Sequence, residues 1–165
     1  MIDAYHVQLI EKHHATGVVV DTNLLLVYFI GLCNRALIEG FKRTQKYTLA
    51  DFDLLARLLA RFVRIVTTPT ILTEVNSLAN QLRQDQKPSF YALFKRQITI
   101  LDERHQPSRR ICEHVYFPKC GLSDAAILTI AEEGLLVLTD DFKLDGYLQA
   151  RNIDRINFTH LRASR

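Results

Sequence analysis

The segment Gly17-Val-Val-Val-Asp21 limits the fold more than any other part of this chain, because it sets three β-branched residues in a row with no polar residue between them. A strand with one wet face alternates apolar and polar residues. A run that is apolar at every position suits a strand covered on both faces, as in a parallel sheet. Leu135-Leu-Val-Leu-Thr139 repeats the pattern late in the chain, and Val63-Arg-Ile-Val-Thr67 and Ile153 to Phe158 read as two further strands. Parallel neighbours need long crossovers, which are usually helical. The strands and the helical patterns between them predict an α/β fold with a mainly parallel central sheet and right-handed crossovers.

The helices are read from period and caps. Asp3 to Lys12 is the first, and Leu24 to Glu39 the second, stopped by Gly40. Thr48 caps a helix from Leu49 to Phe62, in which Leu54, Leu55, Leu58, Leu59 and Phe62 recur at helical spacing. Thr68-Pro69 is a cap followed by proline at the first helical position and opens a helix to Leu82. Helices from Pro88 to Leu101, from Ser123 (as cap) to Glu133, and from Lys143 to Arg151 complete the set. Gln84 to Lys87 is read as a loop, and Asp102 to Ser108 is polar.

The length of 165 residues predicts a single domain, and 48% hydrophobic with 24% charged residues excludes a disordered chain. The longest apolar stretch, Leu24 to Leu32 with Gly31 inside it, is about half the length of a bilayer-spanning helix. The first residues lack the apolar core of a secretory signal, so a cytoplasmic protein with no membrane partner is expected. Cys33, Cys112 and Cys120 are odd in number and lack metal-ligand spacing, which predicts reduced thiols, mostly buried.

In a sheet of this kind the ligand crevice lies beyond the carboxyl ends of the strands. Asp21 ends the first strand, and Asp140 with Asp141 ends Leu135 to Thr139. Glu74 and Asp124 are read into the first turns of two helices. Each acid alone also fits a turn or a helix cap. Together they can form a cluster of carboxylates, which at neutral pH must take up protons or hold a cation. Hard oxygen donors select Mg²⁺ or Mn²⁺, and such ions activate water for attack on a phosphodiester.

The pieces VVVDTNLLL at Val18 to Leu26, TEV at Thr73 to Val75, SDAAILTIA at Ser123 to Ala131 and LLVLTDD at Leu135 to Asp141 give the chain its resemblance to the PIN-domain nucleases. They run from near one end of the chain to near the other. The resemblance implies a three-layer α/β/α sandwich and a divalent-metal-dependent endoribonuclease, often the toxin of a toxin-antitoxin pair, with RNA as substrate, a cognate antitoxin protein as partner, and a homodimer. It implies Asp21, Glu74, Asp124 and Asp141 as metal ligands, with Asp140 as the alternative fourth. Asn23 would orient Asp21 or the attacking water, and Thr139 would donate its hydroxyl into the same site. The chain is longer than the compact toxin members, with helical insertions expected around 35–48 and 89–120.

The formal charge is only +3, but without the four acids the remainder carries +7. Lys42, Arg43 and Lys46 lie beside Phe41 and Tyr47, a set suited to gripping RNA phosphates while stacking a base. Two other readings were weighed. One is a non-catalytic RNA-binding or protein-docking module on the same fold. The other is a phosphatase of the haloacid dehalogenase type, which normally needs a second aspartate at the position held here by Asn23.

Overall fold

The computed structural model describes residues 3–163. Its centre is a five-stranded, wholly parallel sheet in the order β3-β2-β1-β4-β5, formed by β1 (Val18–Val20), β2 (Ile65–Thr67), β3 (Asp102–Glu103), β4 (Leu136–Thr139) and β5 (Arg155–Asn157). Val18, Val19 and Val20 pair with Leu136, Val137 and Leu138, and all six are fully buried. The two unalternating apolar runs of the sequence therefore lie side by side at the middle of the sheet, where helices cover both faces. The α/β/α sandwich expected from the sequence is the observed architecture.

The described helices are α1 (Ala4–His13), α2 (Thr22–Cys33), α3 (Leu49–Leu59), α4 (Pro69–Ala79), α5 (Lys87–Ile98), α6 (Ser108–Ile111), α7 (Phe117–Ala131), α8 (Phe142–Ala150) and α9 (Phe158–Ala163). Helix α2 is apolar almost all round and packs against α3, α4 and α5, which explains why it has so little polar surface. Gly31 makes that packing possible, since a Cβ there would stand 2.2 Å from the ring of Phe52 on α3. Thr48 caps α3 with a reciprocal capping box to Asp51, and Thr68 caps α4 ahead of Pro69.

Several boundaries differ from expectation. Helix α2 ends at Cys33, not Glu39, because Asn34 turns extended and its side chain accepts from Ala36 N to start a 3₁₀ turn at Arg35–Leu37. Residues 35–48 hold no α-helix; Ile38, Phe41, Thr44 and Tyr47 turn into the core instead. Residues 102–103 form β3, and α9 follows β5. Neither element was read from the sequence, because two strand residues and six helical ones are too few to show a period. Ser123 does not cap its helix. Helix α7 begins at Phe117 and is broken at Gly121, whose φ of 77° and ψ of −174° lie in a region open essentially to glycine alone. No helix among the described residues is long and apolar enough to cross a membrane.

Candidate active site

The strand order fixes where a site can form. From β1 the chain moves outward through β2 and β3, while β4 returns to the other side of β1 and leads on to β5. The point where direction reverses lies between β1 and β4, and a crevice opens there beyond the carboxyl ends. Asp21 directly follows β1, and Asp140 and Asp141 directly follow β4. The two flanks of the switch point are thus acidic.

Asp21 is 5% exposed and caps α2. Its Oδ1 accepts from the backbone N–H of Leu24 at 3.1 Å, and its Oδ2 accepts from the backbone N–H of Asp140 at 3.1 Å and from the Thr139 hydroxyl. The resemblance implies Asn23 as orienting this carboxylate or the attacking water, and Thr139 as a hydroxyl donor into the same site. Thr139 does donate to Asp21, while Asn23 lies at the cavity wall with no hydrogen bond to Asp21 among the described residues. Burial, then the neighbouring charge of Asp140, pushes the Asp21 carboxyl up to about 7.

Asp141 caps α8, its Oδ1 accepting from Lys143 N at 2.6 Å and Leu144 N at 3.1 Å. Its own N–H donates to Thr139 Oγ1 at 2.9 Å, so a single hydroxyl ties both flanks together. Glu74 sits in the second turn of α4, not the first, and accepts from the Thr22 hydroxyl at 2.7 Å. Asp124 follows the Gly121 break in α7. Burial, then Asp141 and Glu74, raises its carboxyl to about 6, which means the three charges feel one another.

These four acids line one cavity of about 350 Å³ together with Thr22, Asn23, Ser77, Leu78 and Leu144. No lysine or arginine lies in that lining. A larger hollow of about 570 Å³ lies at the opposite end of the sheet, but its charges are already matched: Lys12 and His13 with Asp154, and Arg151 with Glu132. His13 is 4% exposed there and bonded to Asp154 at 2.7 Å, a pairing that no local pattern announces because the two stand at opposite ends of the chain.

Asp140 is not part of the cavity lining. Its Oδ2 accepts from Lys46 Nζ at 2.6 Å and from the Tyr47 hydroxyl. Of the two acids after Thr139, Asp141 is therefore the one that faces the other three. Burial and the adjacent Asp140 hold the Tyr47 hydroxyl protonated far beyond its ordinary range, so it acts as a donor. The base-stacking role expected of Phe41 and Tyr47 does not survive, since they are 7% and 1% exposed and belong to the core. Lys42 and Arg43 are exposed on the same loop, Arg43 bonded to Gln81 at 2.8 Å. The thiols also depart from expectation: Cys112 is exposed, and Cys33 and Cys120 are half-buried.

The donor set of the cavity is one of carboxylate and hydroxyl oxygens, which suits Mg²⁺ or Mn²⁺ and not a soft metal. Among the described residues no three His, Cys, Asp or Glu side chains are gathered tightly enough to grasp an ion directly. Mg²⁺ keeps several waters and commonly takes only one or two protein carboxylates, so a wide acidic cavity fits it better than a closed cage would. Asp21 and Asp141 present oxygens fixed by helix caps, and Glu74 and Asp124 line the same cavity.

No family model matches the chain, and no curated protein is significantly similar to it. The likeness to PIN-domain nucleases stands on the motif residues alone.

Proposed function

We propose that this protein is a divalent-metal-dependent endoribonuclease of PIN-like type that hydrolyses RNA phosphodiester bonds. One observation carries the reading: Asp21, Glu74, Asp124 and Asp141, scattered along the sequence, line one cavity at the switch point of a parallel sheet with no cationic side chain among them. Asp21 is buried, Asp124 half-buried, and Glu74 and Asp141 exposed. Holding like charges around one cavity without a counter-charge costs free energy, and a bound cation offsets that cost.

Asp21, Glu74, Asp124 and Asp141 would hold Mg²⁺ or Mn²⁺, and the bound ion supplies a water acidified to attack phosphorus and offsets charge on the phosphate oxygens. Asp21 is fixed for that task by three donors, of which the Thr139 hydroxyl and the Asp140 N–H share one oxygen. Thr139 also accepts from Asp141 N, keeping the spacing of the two strand-end acids constant. Glu74 is held by Thr22, one residue beyond Asp21, so the α4 acid follows any shift of the β1 end. Lys42 and Arg43 are exposed, and there they would meet the RNA backbone.

Only the nuclease is proposed; the antitoxin and the second copy expected from the resemblance form no part of it. The test is Mn²⁺-dependent cleavage of single-stranded RNA by wild type and by Asp21→Asn. Asparagine keeps the cap of α2, so loss of cleavage with an unchanged circular dichroism spectrum supports the reading. Undiminished cleavage by the variant removes Asp21 from the chemistry and ends it.

A further inference from the structure

Asp140 joins three separate parts of the chain, the ends of β4 and β1 and the loop before α3. Its N–H donates to Asp21 Oδ2 at 3.1 Å, and its own side chain is 4% exposed. Oδ2 takes two donors, Lys46 Nζ at 2.6 Å and the Tyr47 hydroxyl, while the buried Oδ1 has no hydrogen-bond partner among the described residues. Everything that anchors this carboxylate therefore comes from the loop before α3. That loop is itself fastened from the end of the chain: Arg162 on α9 donates to the Lys46 carbonyl at 2.9 Å, pairs with Asp51 at 3.0 Å, and lies 5.0 Å from the centroid of the Tyr47 ring. Lys46 Nζ lies 5.0 Å from the same ring.

We propose that Asp140 is a positioning residue for Asp21, its carboxylate anchored by Lys46 and Tyr47 so that its backbone N–H stays on Asp21 Oδ2, and that Lys46, although its side chain is 55% exposed, serves the site through Asp140 and not as a grip on RNA phosphate. This rests on the nuclease reading for its catalytic consequence, though not for its geometry. An N–H that must point at one oxygen is only as well placed as the peptide carrying it. That peptide ends β4, where ladder bonds stop, and the side chain of the same residue restrains it beside the Asp141 N–H bond to Thr139. Lys46 is spent on Asp140: an ammonium at 2.6 Å from a buried carboxylate exchanges that partner for a mobile phosphate only at the cost of leaving the carboxylate without a counter-charge, held by the Tyr47 hydroxyl.

The test uses the full chain and two readouts. In metal-free protein, the NMR shift of the Asp140 amide proton reports its bond to Asp21. Tyr47→Phe and Lys46→Ala are each expected to move it upfield with the other amides of β1 and β4 unchanged; an unmoved Asp140 amide in both variants overturns the proposal. In steady-state Mn²⁺-dependent cleavage of single-stranded RNA, Lys46→Ala is expected to lower kcat by about tenfold with KM near wild type, as for other residues that hold a ligand from behind. Lys46→Arg restores kcat, and adding Asp140→Asn to Lys46→Ala costs little more. A raised KM with unchanged kcat, and a salt dependence of binding reduced by about one phosphate contact, makes Lys46 an RNA grip and overturns the proposal. If wild type cuts no RNA, the nuclease reading fails by itself, and the amide shifts still decide whether Lys46 and Tyr47 position Asp140 on Asp21.

Discussion

Thr139 donates its hydroxyl to Asp21 across the β1–β4 boundary, and the same oxygen accepts from the N–H of Asp141. One side chain thus couples the two strand ends that flank the switch point. Thr139→Val keeps the volume and removes both bonds. It leaves Asp21 short of a donor and the Asp141 N–H short of an acceptor in a fully buried place, at a cost of about 1–3 kcal/mol. Urea unfolding is expected to show that loss, and Thr139→Ser to recover most of it. On the nuclease reading, Thr139→Val also lowers cleavage while Thr139→Ser retains it.

The acids of the cavity make stability depend on pH in an unusual sense. Asp21 is raised to about 7 and Asp124 to about 6, both from an ordinary 3.8 that applies in the unfolded chain. The folded state therefore binds these protons more tightly than the unfolded state does. Their contribution is fully present below about pH 4 and is lost as pH rises through 6 to 7. Thermal unfolding in a chelator is expected to show Tm falling across that window. Asp21→Asn, which cannot ionise, is expected to flatten the upper part of the fall; an identical slope in the variant removes Asp21 as its source.

A divalent cation acts against the same loss. Mn²⁺ is expected to raise Tm at pH 8, where the acids are ionised, and to have little effect at pH 5, where Asp21 and Asp124 are largely protonated. The gain is roughly 2.7 kcal/mol at a concentration 100-fold above the dissociation constant. Asp124→Asn is expected to remove most of it. Equal stabilisation at both pH values, or in the variant, places the ion somewhere other than this cavity.

Gly31 is predicted to tolerate no side chain. Alanine favours a helix by about 1 kcal/mol over glycine, but its Cβ would stand 2.2 Å from the Phe52 ring, itself 5% exposed with the Arg35 guanidinium 5.3 Å from its centroid. Moving that ring costs about 1–3 kcal/mol. Gly31→Ala is therefore expected to lower Tm, and Gly31→Ala with Phe52→Leu to recover part of the loss.

Gly121 is expected to be sensitive for a different reason. Nothing lies within 4 Å of where its Cβ would be, so the penalty is purely conformational, about 1–3 kcal/mol for any other residue at this φ and ψ. Gly121→Ala is expected to lower Tm and, because Asp124 follows the break directly, to weaken Mn²⁺ binding measured by calorimetry.

The residues that were legible in the sequence are those whose signal is local. Val18 to Val20 and Leu136 to Leu138 announced buried strands by lacking alternation, Thr48 and Thr68 announced helix starts by side-chain chemistry, and Asp21 and Asp141 announced themselves by standing after strands. The two-residue β3 and the short α9 gave no period to read, and Ser123 looked like a cap because the break that matters, at Gly121, is a backbone angle.

Local order alone determined the class of fold and the acids that could gather, since burial pattern and caps depend on near neighbours. Which acid after Thr139 joins the cavity was decided only when Lys46 and Tyr47, far away in the chain, took Asp140 for themselves. The same folding buried Phe41 and Tyr47, which nearby sequence had marked for the surface. Identical side chains at adjacent positions are indistinguishable by composition; what separates Asp140 from Asp141 is the partner that long-range packing brings within hydrogen-bond reach.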